Sequence, residues 1–273
     1  MPWDPDQYLR FKRERFAPFE DLLALLAVRP NLSVLDLGCG TGELTARLSA
    51  ALPASDVTGL DSSPAMLERA RALARPGLRF ELGRVEEAAG RYDLVFSNAA
   101  IHWVEDHPAL IPRLFALLAP GGQLLVQLPS NNGHPAHQAI LEIAGREPFR
   151  TALGGFTRHP PVLSLSEYAE LLHGCGGTDL VVFEKVYPHL LPDSDAVAEW
   201  TSGTTLLPYF ERLQPSNREA FLAAYRSRLH EIWPGTPVFY GFRRILFSAR
   251  KPELVPQSRD GTGERAWKTG GTS

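Results

Sequence analysis

Two apolar patterns alternate along this chain. Short runs of consecutive apolar residues predict buried strands, and apolar positions recurring every three or four residues predict helices. Strands are expected near 32–37, 56–60, 78–82, 92–97 and 122–128, and helices near 42–51, 64–74 and 107–118. Ser63-Pro64 supplies an N-cap and a first helical residue. Pro120-Gly121-Gly122 closes the helix before it and turns into the next strand. Such alternation implies an α/β fold: a mostly parallel sheet with helices on both faces and binding at the carboxyl ends of the strands.

Ahead of the sheet, Leu9, Phe16, Leu22, Leu23 and Leu26 keep helical spacing, which makes residues 1–30 a helical lid. Pro18 interrupts that run, so two short helices or a kink are expected. After residue 129 the pattern loosens. Helices are expected near 136–147 and 165–174, a strand at 179–186, helices from 194 to 232 with breaks near Gly203 and Pro208, and a last strand at 238–249. Residues 252–273 are rich in Gly, Thr and charge, and disorder is expected there.

The densest chemistry lies in Val34-Leu35-Asp36-Leu37-Gly38-Cys39-Gly40-Thr41-Gly42, where a strand runs through a glycine turn into a helix. Asp61 ends the next strand. Together these form a nucleotide-binding half-sheet. The spacing is G-x-G-x-G, whereas a dinucleotide loop uses G-x-G-x-x-G. Glu43 follows, and a carboxylate in the first helical turn repels a pyrophosphate. The sequence therefore disfavours an NAD-dependent oxidoreductase and favours a phosphate-free ligand with a positive centre.

Asp36 to Gly42 resembles the D-x-G-x-G-x-G signature of Rossmann-like SAM-dependent methyltransferases, which implies S-adenosyl-L-methionine as cofactor. The resemblance implies a sheet whose last strand is antiparallel, with segment 188–236 as a helical cap inserted into a domain spanning 31–251. It also implies that Asp36, Gly38 and Gly40 approach the cofactor, that Asp61 accepts from the ribose hydroxyls, and that Ser62 and Met66 stand beside it. Arg91 to Trp103 resembles the fourth motif of the family, in which Ser97, Asn98 and Ala99 emerge beside the transferable methyl. Many relatives carry an acid where Arg84 stands here, so Glu86 or the backbone near Val85 is left to read the adenine.

Composition narrows the partner. The net charge is −3 and no basic run interleaves with aromatics, so nucleic acid is not an expected partner. No apolar segment approaches the ~18 residues of a membrane span. Met1 to Asp6 lack the marks of a signal peptide, and two cysteines do not make a disulfide framework, so a cytoplasmic protein is expected. No metal cluster is apparent, and Cys39 reads as a small residue in a tight loop rather than a nucleophile.

Further segments are similar to the trans-aconitate 2-methyltransferase family: Trp3 to Phe11 with Glu14-Arg15, Ser62 to Leu67, Asn98 to Trp103, Gln127 to Asn131 with His137, Glu199-Trp200, Gly203 to Leu206, and Phe242 to Arg244. This resemblance implies a small polycarboxylic acid as methyl acceptor. A carboxylate is ionised at neutral pH and needs no general base. Catalysis then rests on positioning, with His102 as the one candidate base. Tyr8, Arg15, His102, His137, Tyr240 and Arg244 are the candidate substrate ligands, with Arg244 foremost, and Trp200 is expected to pack the cap. Leu207-Pro208 stands where the family often has an arginine, which leaves a related mono- or dianionic acid open. A malonyl thioester on a carrier protein and a non-catalytic SAM-binding role are the alternatives. The oligomeric state is not legible, and a monomer is plausible.

Overall fold

The computed structural model describes residues 12–253, with side chains from Phe16 onward. Of the tail expected at 252–273, residues 254–273 lie outside the residues so described, as do the candidate ligands Tyr8 and Arg15. In chain order the strands are β1 (Ser33–Leu37), β2 (Asp56–Asp61), β3 (Leu78–Leu82), β4 (Tyr92–Asn98), β5 (Leu118–Pro129), β6 (Thr178–Leu191) and β7 (Val238–Arg250). They form one sheet in the order β3-β2-β1-β4-β5-β7-β6. The pairs among β1 to β5 are parallel, and β7 runs antiparallel to β5 and to β6. The α/β expectation, with an antiparallel last strand, matches this sheet.

Both faces of the central strands are apolar, as a sheet covered on two sides requires. Leu35, Val95 and Leu124 face a core built with α4 (His107–Ala116) and α7 (Leu165–Gly174). Their neighbours Val34, Leu94, Phe96 and Leu125 face the opposite core, shared with α1 (Lys12–Leu23), α2 (Glu43–Ala51) and α3 (Pro64–Arg71). α3 starts where the sequence placed its cap, with Ser63 Oγ accepting from the Met66 N–H at 3.4 Å.

Four expectations change. Of the outcomes expected at Pro18, the split into two short helices is not found, since α1 continues through it. Its missing N–H removes one helical bond, but Pro18 is buried, and Phe19 and Leu22 are fully buried, with the Phe19 ring edge-on to Phe96 at 5.7 Å. Packing outweighs the lost bond. Second, Pro120-Gly121-Gly122 lies inside β5 as a bulge, because Tyr92 pairs with Leu118 and Leu94 with Gln123. Third, β6 runs on to Leu191 and pairs with β7 as far as Val238, which projects a long two-stranded arm.

Fourth, the cap is larger than the expected 188–236 insertion. Its helices α8 (Ser194–Ser202), α9 (Leu207–Phe210) and α10 (Pro215–Ile232) share one apolar core with α5 (Pro135–Ala144) and α6 (Phe149–Ala152), which leave the sheet after β5. Phe221, Tyr225 and Leu229 make the buried stripe of α10, spaced one helical turn apart, and the Phe221 ring meets Phe149 edge-on at 5.1 Å. Among the described residues, no helix is long and apolar enough to cross a membrane.

Candidate active site

The glycine turn ends β1 with three positive backbone angles: φ 75° at Gly38, 55° at Gly40 and 78° at Gly42. The three glycines are required for different reasons. A Cβ on Gly38 would lie 2.2 Å from the Ala100 Cβ, and one on Gly42 would lie 2.8 Å from the Phe80 ring. At Gly40 nothing stands within 4 Å, so its open side faces the cavity. The turn is pinned from β2, where the Leu60 carbonyl accepts from the Gly38 and Cys39 N–H groups at 2.8 and 3.0 Å. Asp61 completes the clamp. One carboxylate oxygen accepts from the Gly40 N–H and the other from the Ser63 N–H, both at 2.8 Å. A carboxylate offers about four lone-pair positions, so roughly two remain for a ligand.

A cavity of about 360 Å³ opens over this clamp. It is lined by Gly38, Gly40, Asp61, Ser62, Ser63 and Met66 from the glycine turn and the β2–α3 junction, by Gly83, Arg84, Val85 and Glu86 after β3, and by Ala99, Ala100, Trp103 and Val104 after β4. Eight of the ten expected cofactor residues therefore line one cavity. Asp36 and Asn98 do not. Asp36 is buried behind the turn, where its carboxylate accepts from Thr45 Oγ1 at 2.6 Å. Burial, with Asp61 adding repulsion, pushes its pKa up to about 7 against the Thr45 hydrogen bond. It supports the loop rather than facing a ligand. Asn98 turns its Oδ1 inward, and the next residue, Ala99, takes the wall position instead.

Cys39 is buried, and burial together with Asp36 and Asp61 pushes its thiol up, which removes it as a nucleophile. After β3, Arg84 and Glu86 form an exposed ion pair at 2.8 Å. Glu86 is thus partly engaged before any ligand arrives.

A smaller cavity of about 110 Å³ lies between the sheet and the cap and shares Ala99 and Trp103 with the first. Ala99 holds a left-handed backbone, φ 54°, fixed by its N–H donating to the Gln127 carbonyl at 2.8 Å. Alanine rarely holds that region, so the hydrogen bond to Gln127 and the packing at the junction of the two cavities keep it there. His102, His137, Asn131, Asn132 and Arg244 supply the polar wall, and Trp200, Phe242, Pro129 and Pro160 the apolar one. No acidic residue lines this cavity among the described residues. Arg244 is buried on β7, with Nη1 donating to Gln127 Oε1 at 3.3 Å and the guanidinium 4.8 Å over the Phe242 ring.

The histidines are held neutral. Burial, then Arg158 and Arg244, lower the His102 pKa well below its ordinary value. Burial, then His134 and Arg158, bring His137 down to about 3. A base of such low pKa takes a proton poorly, so these rings serve as hydrogen-bonding groups. The His102 Nδ1 is buried and without a hydrogen-bond partner among the described residues.

One expectation is corrected here, and one is met. Tyr240 is fully buried in the cap core, its ring 4.4 Å from His134, and it does not reach the cavity. Trp200 packs the cap as expected, and it also lines the cavity. Sequence reasoning missed Arg158, which sits in an aperiodic loop before Pro160-Pro161 with nothing to mark it. It missed Ala99 as the shared wall of two cavities, since the cap's position was not legible.

The residues around the larger cavity fit S-adenosylmethionine. There is a paired-acceptor carboxylate for a ribose, a glycine floor without side chains, and no phosphate-binding cation at the helix start.

A methyltransferase-domain family matches residues 9–180 of this chain. A trans-aconitate 2-methyltransferase of Deinococcus radiodurans is 48% identical, over 93% of this chain and 100% of its own length. One from Streptomyces coelicolor is 40% identical, over 92% and 87%. Among solved structures, the YcgJ protein of Bacillus subtilis superposes with a TM-score of 0.60 at 17% identity, covering 87% of this chain and 99% of that one. The mycolic acid cyclopropane synthase CmaA1, solved with SAH, does so at 0.56 and 16% identity, covering 92% and 88%. The chain belongs to the methyltransferase-domain family and groups with its members named trans-aconitate 2-methyltransferases.

Proposed function

We propose that this protein transfers the methyl group of S-adenosylmethionine to a carboxylate oxygen of trans-aconitate, giving a monomethyl ester. The observation that carries the reading is a cavity with a buried arginine, neutral histidines and no acid, which meets the cofactor cavity at Ala99 and Trp103. The relatives' name for their own acceptor agrees with that chemistry.

When bound, the cofactor supplies a methyl group on a sulfonium, electrophilic without further activation. The protein's part is to hold and to exclude. Asp61 accepts from the ribose, while the open side of Gly40 lets the ligand lie against backbone. Arg244 offers a planar fork to a carboxylate of the acceptor. His102 and His137 offer hydrogen bonds without competing for the acceptor's charge. The cap, through Trp200 and Thr204, closes the acceptor cavity against water, which strengthens each of these contacts. No general base is required, because a carboxylate with a pKa near 4 is already the nucleophile. Rate comes from aligning its oxygen about 3 Å from the methyl carbon, in line with the sulfur.

The test is transfer of labelled methyl from S-adenosylmethionine to trans-aconitate, with a base-labile ester as product. No label in any small polyacid would overturn the proposal.

A further inference from the structure

Beside the acceptor cavity lies another of about 190 Å³, and the two share Asn132, His137, Pro160 and Thr205 as common walls. Arg158 belongs to this second space. Its position is built rather than incidental. Its backbone N–H donates to the Tyr209 hydroxyl at 3.0 Å, its Nη2 donates to the His102 carbonyl at 2.9 Å, and its guanidinium lies 4.3 Å over the Trp103 ring. The cap helix thus fixes its main chain, and the cavity junction fixes its guanidinium.

The charge of Arg158 is unanswered. It is half-buried, and burial lowers its pKa, with the nearby Glu105 and Tyr209 offsetting only part of that. Among the described residues no carboxylate pairs with it, and one of the five N–H donors of its guanidinium is used. Holding a cation out of water without a counter-charge costs free energy unless an anion arrives. The charges of Arg158 and Arg244 both lower the His102 pKa, after burial.

We infer that Arg158 forms a second carboxylate subsite, holding an arm of the acceptor that is not methylated, while Arg244 serves the arms nearer the methyl. The inference rests on the polyacid reading above. It makes Arg158 a specificity residue: it rewards an acceptor with a further carboxylate and does nothing for one without it.

The experiment compares the unaltered protein with Arg158→Gln and Arg158→Lys. Acceptors are trans-aconitate and the dicarboxylates glutaconate, itaconate and mesaconate, each lacking one of its arms. S-adenosylhomocysteine affinity reports the integrity of the neighbouring cofactor site. In Arg158→Gln, KM for trans-aconitate is expected to rise about ten- to a hundredfold, the size of one lost charged hydrogen-bonding contact, with kcat changed far less. One dicarboxylate, the one lacking the arm held here, is expected to be used equally by both proteins, and Arg158→Lys to recover part of the loss. Unchanged KM in Arg158→Gln overturns the inference while leaving the reaction standing. So does loss of S-adenosylhomocysteine binding in both variants, which would make Arg158 a structural residue. Absence of turnover with all four acids by the unaltered protein defeats the proposed reaction, and the inference falls with it.

Discussion

Asp36 and Asp61 stand at the ends of neighbouring strands, and the fold treats them oppositely. Asp61 spends its charge on two backbone N–H groups and keeps acceptor capacity facing the cavity. Asp61→Ala is expected to weaken S-adenosylmethionine binding by about 1–3 kcal/mol through lost charged hydrogen bonds, read by isothermal titration. Asp36 is buried with its pKa raised to about 7 from 3.8. Above its unfolded value the unfolded chain has already released this proton while the folded protein still holds it. Its contribution to stability is therefore full below about pH 4 and lost as pH rises through about 7. Asp36→Asn, which keeps an acceptor for Thr45, is expected to gain stability relative to the parent across that window, measured by urea unfolding. The glycines separate two further outcomes. Gly42→Ala drives a methyl into Phe80 and is expected to lower the melting temperature, whereas Gly40→Ala, with open space, is expected to spare folding more and cofactor affinity less. The glycine turn and Asp61 were legible in the sequence because a tight turn admits few residue types at fixed spacing. The inward role of Asp36 and the placement of Tyr240 and Arg158 were not, because each depends on which distant segment packs against it.

The same division holds for elements. Strands β1, β2 and β4 were legible as apolar runs, and the edge strand β3 by the alternation of buried Leu78 and Phe80 with exposed Arg79 and Glu81. The bulge in β5 was not, since it follows from pairing with β4. The cap was half legible. Each of its helices shows an apolar face, but periodicity does not say that α5 and α6, leaving the sheet after β5, would share a core with α8 to α10. That shared core predicts that the two insertions unfold together. Phe221→Ala, which removes a fully buried ring stacked 5.9 Å from Tyr209 and edge-on to Phe149, is expected to destabilise the protein by about 3–5 kcal/mol. The loss would be read as a lower melting temperature. Acceptor KM should rise as well, because Trp200 and Thr204 line the cavity from the same cap.

Across the whole molecule, buried titratable groups act against one another. The folded pKa of His137, about 3, lies below its ordinary 6.5, so on acidification the unfolded chain takes up this proton first. Its contribution to stability is present above about pH 6.5 and is lost as pH falls toward 3. The cost between pH 7 and pH 5 is about 2 kcal/mol, from roughly 1.4 kcal/mol per pH unit below the unfolded value. His137→Gln should flatten this loss in urea unfolding at the two pH values. The sign is opposite to that of Asp36, so each variant exposes the other's slope. One further consequence belongs to the two cavities that meet at Ala99 and Trp103. Two adjoining cavities leave room for both ligands of the proposed reaction at once, and neither shared residue is a nucleophile able to carry the methyl across by itself. Initial-rate plots against one ligand at several fixed concentrations of the other should therefore give intersecting rather than parallel lines.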